Sequence, residues 1–221
     1  MTEDKIHDIC RKYNIKNYRI NNDMSIDVDG SVDLASEDLQ QLPLTFNYIN
    51  GNFYCELNYL ESLHGAPNKV EGDFRCQYND LRSFYDCPEY VGSSFHCKNN
   101  YIESLKYSPN FIGGSFICDF NELKSIKDIK CKPTRLYINS NRIKTLENFN
   151  FIHTKNIYHL NNPINEIWNL FVDNNSIDHF NELDIIQQNG RVVILDRLNY
   201  FLQDLGKKEV SKEDIKNYKV K

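Results

Sequence analysis

The chain repeats itself every 21 residues, and few folds tolerate that constraint. Phe53, Phe74, Phe95 and Phe116 stand at steps of 21. Two residues after each comes Cys55, Cys76, Cys97 or Cys118, and three further on Asn58, Asn79, Asn100 or Asn121. Leu60, Leu81, Ile102 and Leu123, then Leu63, Phe84, Leu105 and Ile126, complete the unit. Downstream the ruler continues as Leu136, Ile138, Asn141, Ile143 and Leu146, and again as Ile157, His159, Asn162, Ile164 and Ile167. Upstream it reads Val32, Leu34, Leu39 and Leu42, with Glu37 in the Asn slot. About seven units of 20–21 residues therefore run from about residue 25 to 171.

Phe and Cys at i and i+2 share one face of a strand. One short strand cannot bury that face alone, but neighbours stacked about 4.8 Å apart can. After the strand, Asn breaks the alternation, and its amide can bond backbone groups of adjacent turns as an interior ladder. Pro67, Pro88 and Pro109 mark the return leg. Proline disfavours helix in the residue before it, so an extended or turn-like return side is expected. The fifth-to-sixth step is one residue short and Pro133 falls out of register, which predicts a local irregularity there.

The pattern L-x-L-x-x-N-x-L-x-x-L, with Phe and Cys in the first two slots, resembles leucine-rich repeat proteins of the short bacterial type. "SLHGAPNKVEGDFRC", "NPINEIWNLF" and "VVILDRLNYFLQDLG" look like a group of largely uncharacterised bacteriophage-encoded members. The resemblance covers nearly the whole chain. It implies an α/β repeat solenoid: an arc with a parallel concave sheet, a mostly non-helical convex side and a helical cap at each end.

Three parts follow: residues 1–24 as an N-terminal cap, 25–171 as the repeats, and 172–221 as a C-terminal helical cap with a basic tail. Residues 3–13 carry Ile6, Ile9, Cys10 and Tyr13 on one helical face. Asn165–Phe171 reads as a helical turn, and Ser176 as the start of a helix reaching Gln188, with Gly190 just beyond. "RVVIL" reads as a strand, Asp196 as the cap of a last helix ending at Gly206, and Ser211 as the opening of a short helix. From 207 to 221 six Lys face three acids.

Net charge of -5 removes the global basic field expected of a nucleic-acid or membrane binder. No apolar run approaches the roughly 20 residues that span a bilayer. "MTEDKIHDICRKY" lacks the apolar core of a signal peptide, so a cytoplasmic location is expected, the host cytoplasm if the chain is phage-encoded. Seven cysteines, four of them in file and none in a CxxC pair, read as small core hydrophobes rather than as a metal site or disulfide framework. No HExxH, GxSxG or phosphate-loop motif occurs, and neither cofactor, metal nor catalytic residue is expected. Bacterial leucine-rich ubiquitin ligases place a Cys-bearing domain after their repeats; here the 50 residues after Phe171 contain no Cys.

The outward positions are where function is expected. One column, just after the Phe slot, reads Asp33, Tyr54, Arg75, His96, Ile117, Tyr137 and Tyr158. The next reads Ala35, Glu56, Gln77, Lys98, Asp119, Asn139 and Leu160; a third, Leu57, Tyr78, Asn99, Phe120 and Ser140; and before the Phe slot stand Asn52, Asp73, Ser94, Ser115, Arg135 and Asn156. These columns vary, and they carry the Tyr and Arg that dominate protein interface energies. The expected function is non-enzymatic binding of a host or viral protein through Tyr54, Tyr78, Arg75, His96, Lys98, Ile117, Phe120, Arg135, Tyr137 and Tyr158. A carbohydrate-binding or adhesion role is the alternative, since aromatics beside Asn and Asp also suit sugars. Acids and bases nearly cancel over the face, which argues against nucleic acid.

Overall fold

A computed structural model describes residues 1–147, 157–171 and 176–221. The chain is a parallel β-solenoid of about six turns. Its front sheet has seven strands in sequence order: Val32–Asp33, Phe53–Tyr54, Phe74–Arg75, Phe95–His96, Ser115–Ile117, Arg135–Tyr137 and Ile157–Tyr158. Every neighbouring pair is parallel, and Phe53, Phe74, Phe95, Phe116, Leu136 and Ile157 align across it. Among the described residues between Phe46 and Tyr158 there is no helix.

The return leg is more ordered than turns alone. A back sheet runs antiparallel from Tyr18–Ile20 to Ile26–Val28, then parallel through Phe46–Ile49, Lys69–Val70, Tyr90–Val91 and Phe111–Ile112. Ile49, Val70, Val91 and Ile112, also spaced by 21, turn into the core. Two or three residues separate each parallel back strand from the following front strand, so two narrow sheets meet at a corner in those turns.

The interior is built in files. Phe53 and Phe74 stack with ring centroids 5.5 Å apart; Phe74–Phe95 and Phe95–Phe116 follow at 5.3 Å, and Phe84 joins at 5.5 Å from Phe95. Such pairs contribute about 0.5–1.5 kcal/mol each beyond area burial. The four filed cysteines are free and fully buried, and burial pushes the thiols of Cys55, Cys76 and Cys97 far up.

The expected asparagine ladder is present from Asn58 to Asn162. Each Nδ2 donates to the Cys-slot carbonyl of the preceding turn at 2.8–3.1 Å. Each Oδ1 accepts a backbone N–H of that turn at 2.9–3.0 Å. The strand Val32–Asp33 ends the sheet. No earlier front-sheet carbonyl awaits an amide there, and Glu37 can occupy the slot.

A second polar file was not foreseen. Ser62, Ser83, Ser104 and Ser125 each accept the N–H two residues on, starting the return leg with a side-chain turn. The chain then closes a tight turn before each return-leg proline through Ala66 N–H to Leu63 O, Cys87 to Phe84 and Ser108 to Leu105.

The irregularity predicted at the short step takes a specific form: the back sheet ends. Glu71, Gly92 and Gly113 stand three residues before the Phe slot, and each donates its N–H to the preceding back strand at 2.8–3.0 Å. Pro133 holds that place before Leu136 and has no N–H to give. The front sheet passes the same point with Ser115–Ile117 and Arg135–Tyr137 in full register.

At the N-terminus helix α1, Glu3–Lys12, buries Ile6 and Cys10. At the other end lie α2, Asn165–Phe171, α3, Ile177–Glu182, and α4, Leu195–Asp204. Phe171, Phe180 and Phe201 pack together with centroids 5.1–5.4 Å apart. Two expectations need correction. The helix after Ser176 stops at Glu182, because Asp184 turns left-handed at φ 48° and Ile186–Gln187 pairs with Val192–Val193. The last helix begins at Leu195 with Ile194 as its cap, so Asp196 lies inside its first turn. The basic tail is tied to the rest of the chain. Lys219–Val220 extends the small sheet, Glu166 accepts the N–H groups of Lys216 and Asn217, and Ile215, Tyr218 and Val220 are buried. Ser211 and Asp214 form the expected capping box on a single 3-10 turn.

Candidate functional site

Side chains alternate along a strand, so with Phe and Cys inside, the columns after each must face outward. The structure places them so. Tyr54, Arg75, His96, Ile117 and Tyr137 are half-buried against their neighbours, while Asp33 and Tyr158 at the two ends are exposed. Strand register sets them in one line: Tyr54 beside Arg75, Arg75 beside His96, His96 beside Ile117, and Tyr137 beside Tyr158.

The contacts in this line are mostly aromatic and ionic. The Arg75 guanidinium lies 4.9 Å from the Tyr54 ring centre and donates to Asp73 at 2.8 Å. Lys98 sits 5.4 Å from the Tyr78 ring. Tyr137 and Tyr158 stack nearly parallel, 4.4 Å apart. Arg135 is exposed at the edge of the face. Asn156 lies outside the described residues.

Partial burial shifts the charged groups. Burial raises Glu56 above the usual carboxylate range despite nearby Arg75. Asp119 is also raised by burial, although it accepts two bonds from Asn139 at 2.6 and 2.8 Å. For Asp73, burial is outweighed by bonds from Arg75 and Ser94, and its carboxyl is held down. Burial lowers His96, with Asp73 pulling weakly the other way. Glu56 Oε2, Gln77 Oε1 and Arg75 Nε are buried without a hydrogen-bond partner among the described residues.

The third column is not a strand column. Leu57, Tyr78, Asn99, Phe120 and Ser140 hold φ of 53–57°, the left-handed conformation just before each ladder Asn. Three of them, Leu57, Tyr78 and Phe120, are 54, 45 and 56 % exposed. The turn throws these side chains out along the border of the front face.

Two features escaped the reading of the residues. The back sheet carries an outward column of its own, Tyr48, Lys69, Tyr90 and Phe111, with Tyr90 and Phe111 stacked at 4.8 Å. Its signal was the Val/Ile ruler four residues before the Phe slot. The unpaired acceptors of Glu56 and Gln77 had no sequence signal, because burial there depends on three neighbouring strands.

Among the described residues no group of three or more His, Cys, Asp or Glu side chains gathers as a metal site, and no helix is long and apolar enough to cross a membrane. No protein-family model, curated protein or solved structure matches the chain.

Proposed function

We propose that the chain is a leucine-rich-repeat-type binding module, capped by its terminal helices, that docks another protein on its front, concave sheet and performs no chemistry. The observation that carries this reading is the left-handed column. A non-glycine residue there costs about 1–3 kcal/mol, and Asn tolerates the conformation best. Asn99 and Asn161 use it that way. At Leu57, Tyr78 and Phe120 a large apolar side chain is held in that strained conformation and left in water. Self-stability favours neither choice, whereas contact with a partner rewards both. These side chains border a line of Tyr54, Arg75, His96, Ile117, Tyr137 and Tyr158, whose Tyr and Arg members are of the types enriched at interface hot spots. Lys98 and Arg135 add polar rim contacts. On the resemblance to phage-encoded proteins, the partner is a host or viral protein met in the host cytoplasm.

The test is affinity capture from lysate of the cells that express the chain, wild type against Tyr54→Ala/Arg75→Ala/Tyr137→Ala. A specific protein should be captured by the wild type and lost with the variant, while the melting temperature stays within a few degrees. Equal capture by both would defeat the reading.

A further inference from the structure

Resting on the proposed binding face, we infer that the front sheet is polarised and takes an extended protein segment with a Lys or Arg at one end and an apolar or aromatic residue at the other. The first strands present acids: Asp33, Glu37 and Asp38 are exposed, Glu56 and Asp73 half-buried. The cation within this end, Arg75, is committed to Asp73. Glu56 Oε2 and Gln77 Oε1, on adjacent strands, are both acceptors lacking a donor among the described residues. Both side chains are half-buried, so each reaches the surface with part of its length. A lysine ammonium or guanidinium supplies several donors and no acceptor. Arg75 Nε, a buried donor on the same two turns that also lacks a partner among the described residues, suits the backbone carbonyl of that same partner residue. The burial that raises Glu56 also makes a charge-assisted bond there stronger than on open surface.

The last strands are different. Ile117, Tyr137 and Tyr158 stand in one line across adjacent strands, and the same turns expose Phe120 and Leu160, 56 and 67 % accessible. Asp119 is occupied by Asn139 and Arg135 lies at the edge, so the line itself is apolar and aromatic at this end. Four strand steps separate Glu56 from Tyr137, about 19 Å at the usual spacing. An extended chain covers that distance in about six residues. The partner segment therefore crosses the strands with its cation and its apolar anchor about six residues apart.

The inference is tested with a random dodecapeptide display library panned on the full-length chain, with hits remeasured as synthetic peptides by fluorescence anisotropy. The expected hits carry Lys or Arg about six residues from an aromatic or aliphatic residue. Glu56→Gln, which keeps shape and removes charge, should weaken them at least tenfold, and Glu56→Lys should redirect selection to acidic peptides. Circular dichroism melts confirm that each variant folds. Hits that need Tyr54 and Tyr137 but lack a cation and ignore Glu56→Gln overturn this inference and leave the binding face standing. No hits, or hits indifferent to every front-face variant, sink both.

Discussion

The front and back sheets run through the same turns yet differ in what sustains them. Between neighbouring front strands stand two kinds of bond: the strand ladder, and the asparagine amide that ties each turn to the one before. Back strands lack that amide ladder to the backbone; the bonds added to their strand ladder run between side chains, as from Asn47 to Asp27 at 2.7 Å and from Tyr48 to Glu71 at 3.1 Å, and one proline ends the sheet. The front sheet crosses that same shortened step without losing register. Redundant backbone satisfaction, rather than strand propensity, lets the solenoid absorb a deletion. The outward faces differ too. On the back, Lys69 is sandwiched by Tyr48 and Tyr90 and bonds Glu71 at 2.7 Å. On the front line, Glu56, Arg75 and Gln77 each keep a buried polar atom without a partner among the described residues, whereas off that line Ser108 and Thr145 do so.

If the front interior is the framework, its deletions should dominate. Phe95→Ala removes a fully buried ring that touches Phe74, Phe84 and Phe116. A loss of about 3–5 kcal/mol is expected in a urea titration. Next comes Asn100→Ala, which strips donors from the carbonyls of Cys76 and Cys97 and the acceptor from Leu81 N–H, all away from water. About 2–4 kcal/mol should go, with faster amide exchange on both flanking turns. A loss below 1 kcal/mol would mean that the ladder is incidental.

These rungs were legible because one residue type recurs wherever one environment recurs. Phe53, Cys55 and Asn58 meet the same neighbours as Phe74, Cys76 and Asn79, so identity reports environment. The back strands were hidden by their shortness: Lys69–Val70 lies between Pro67 and Gly72, and turn residues masked the pairing. The Tyr78 column was misplaced on the strand, since a left-handed residue leaves no mark when side chains happen to be aromatic. The outward line of the candidate site was readable from alternation alone. Its unpaired Glu56 and Gln77 were not, since desolvation belongs to an assembled surface.

Titration separates the two faces by pH window. His96 on the front face and His159 in the inward Cys slot behind it are lowered by burial, so the unfolded chain takes up protons first. Their effect is therefore a stability that falls with acidification through and below pH 6.5. Glu71 on the back is lowered by its bond to Lys69. Its contribution is present above its ordinary 4.5 and is lost only below it. Glu56 and Asp119, raised by burial, act oppositely just above their ordinary values, gaining stability as pH falls. Melting temperature should thus drop from pH 7 to 5.5, the His96→Gln/His159→Gln variant should drop less, and Glu71→Gln should change only the slope below pH 4.5. An unchanged slope near pH 6 in the histidine variant would show that these rings stay solvated.

The smallest effects are the most diagnostic. Phe111→Ala trims an exposed ring from the back sheet and should cost about 1 kcal/mol or less, with no loss of partner binding. Phe120→Asn trims an equally exposed ring from the front border, but at φ 54°, where Asn is better tolerated than Phe. Stability should rise by on the order of 0.5 kcal/mol while binding weakens at least tenfold. Opposite signs in the two assays, at one position, are what a strained residue retained for contact requires. A Phe120→Asn protein that is destabilised, or that binds as before, would show that the ring serves the fold. The front border would then be no more specialised than the back sheet.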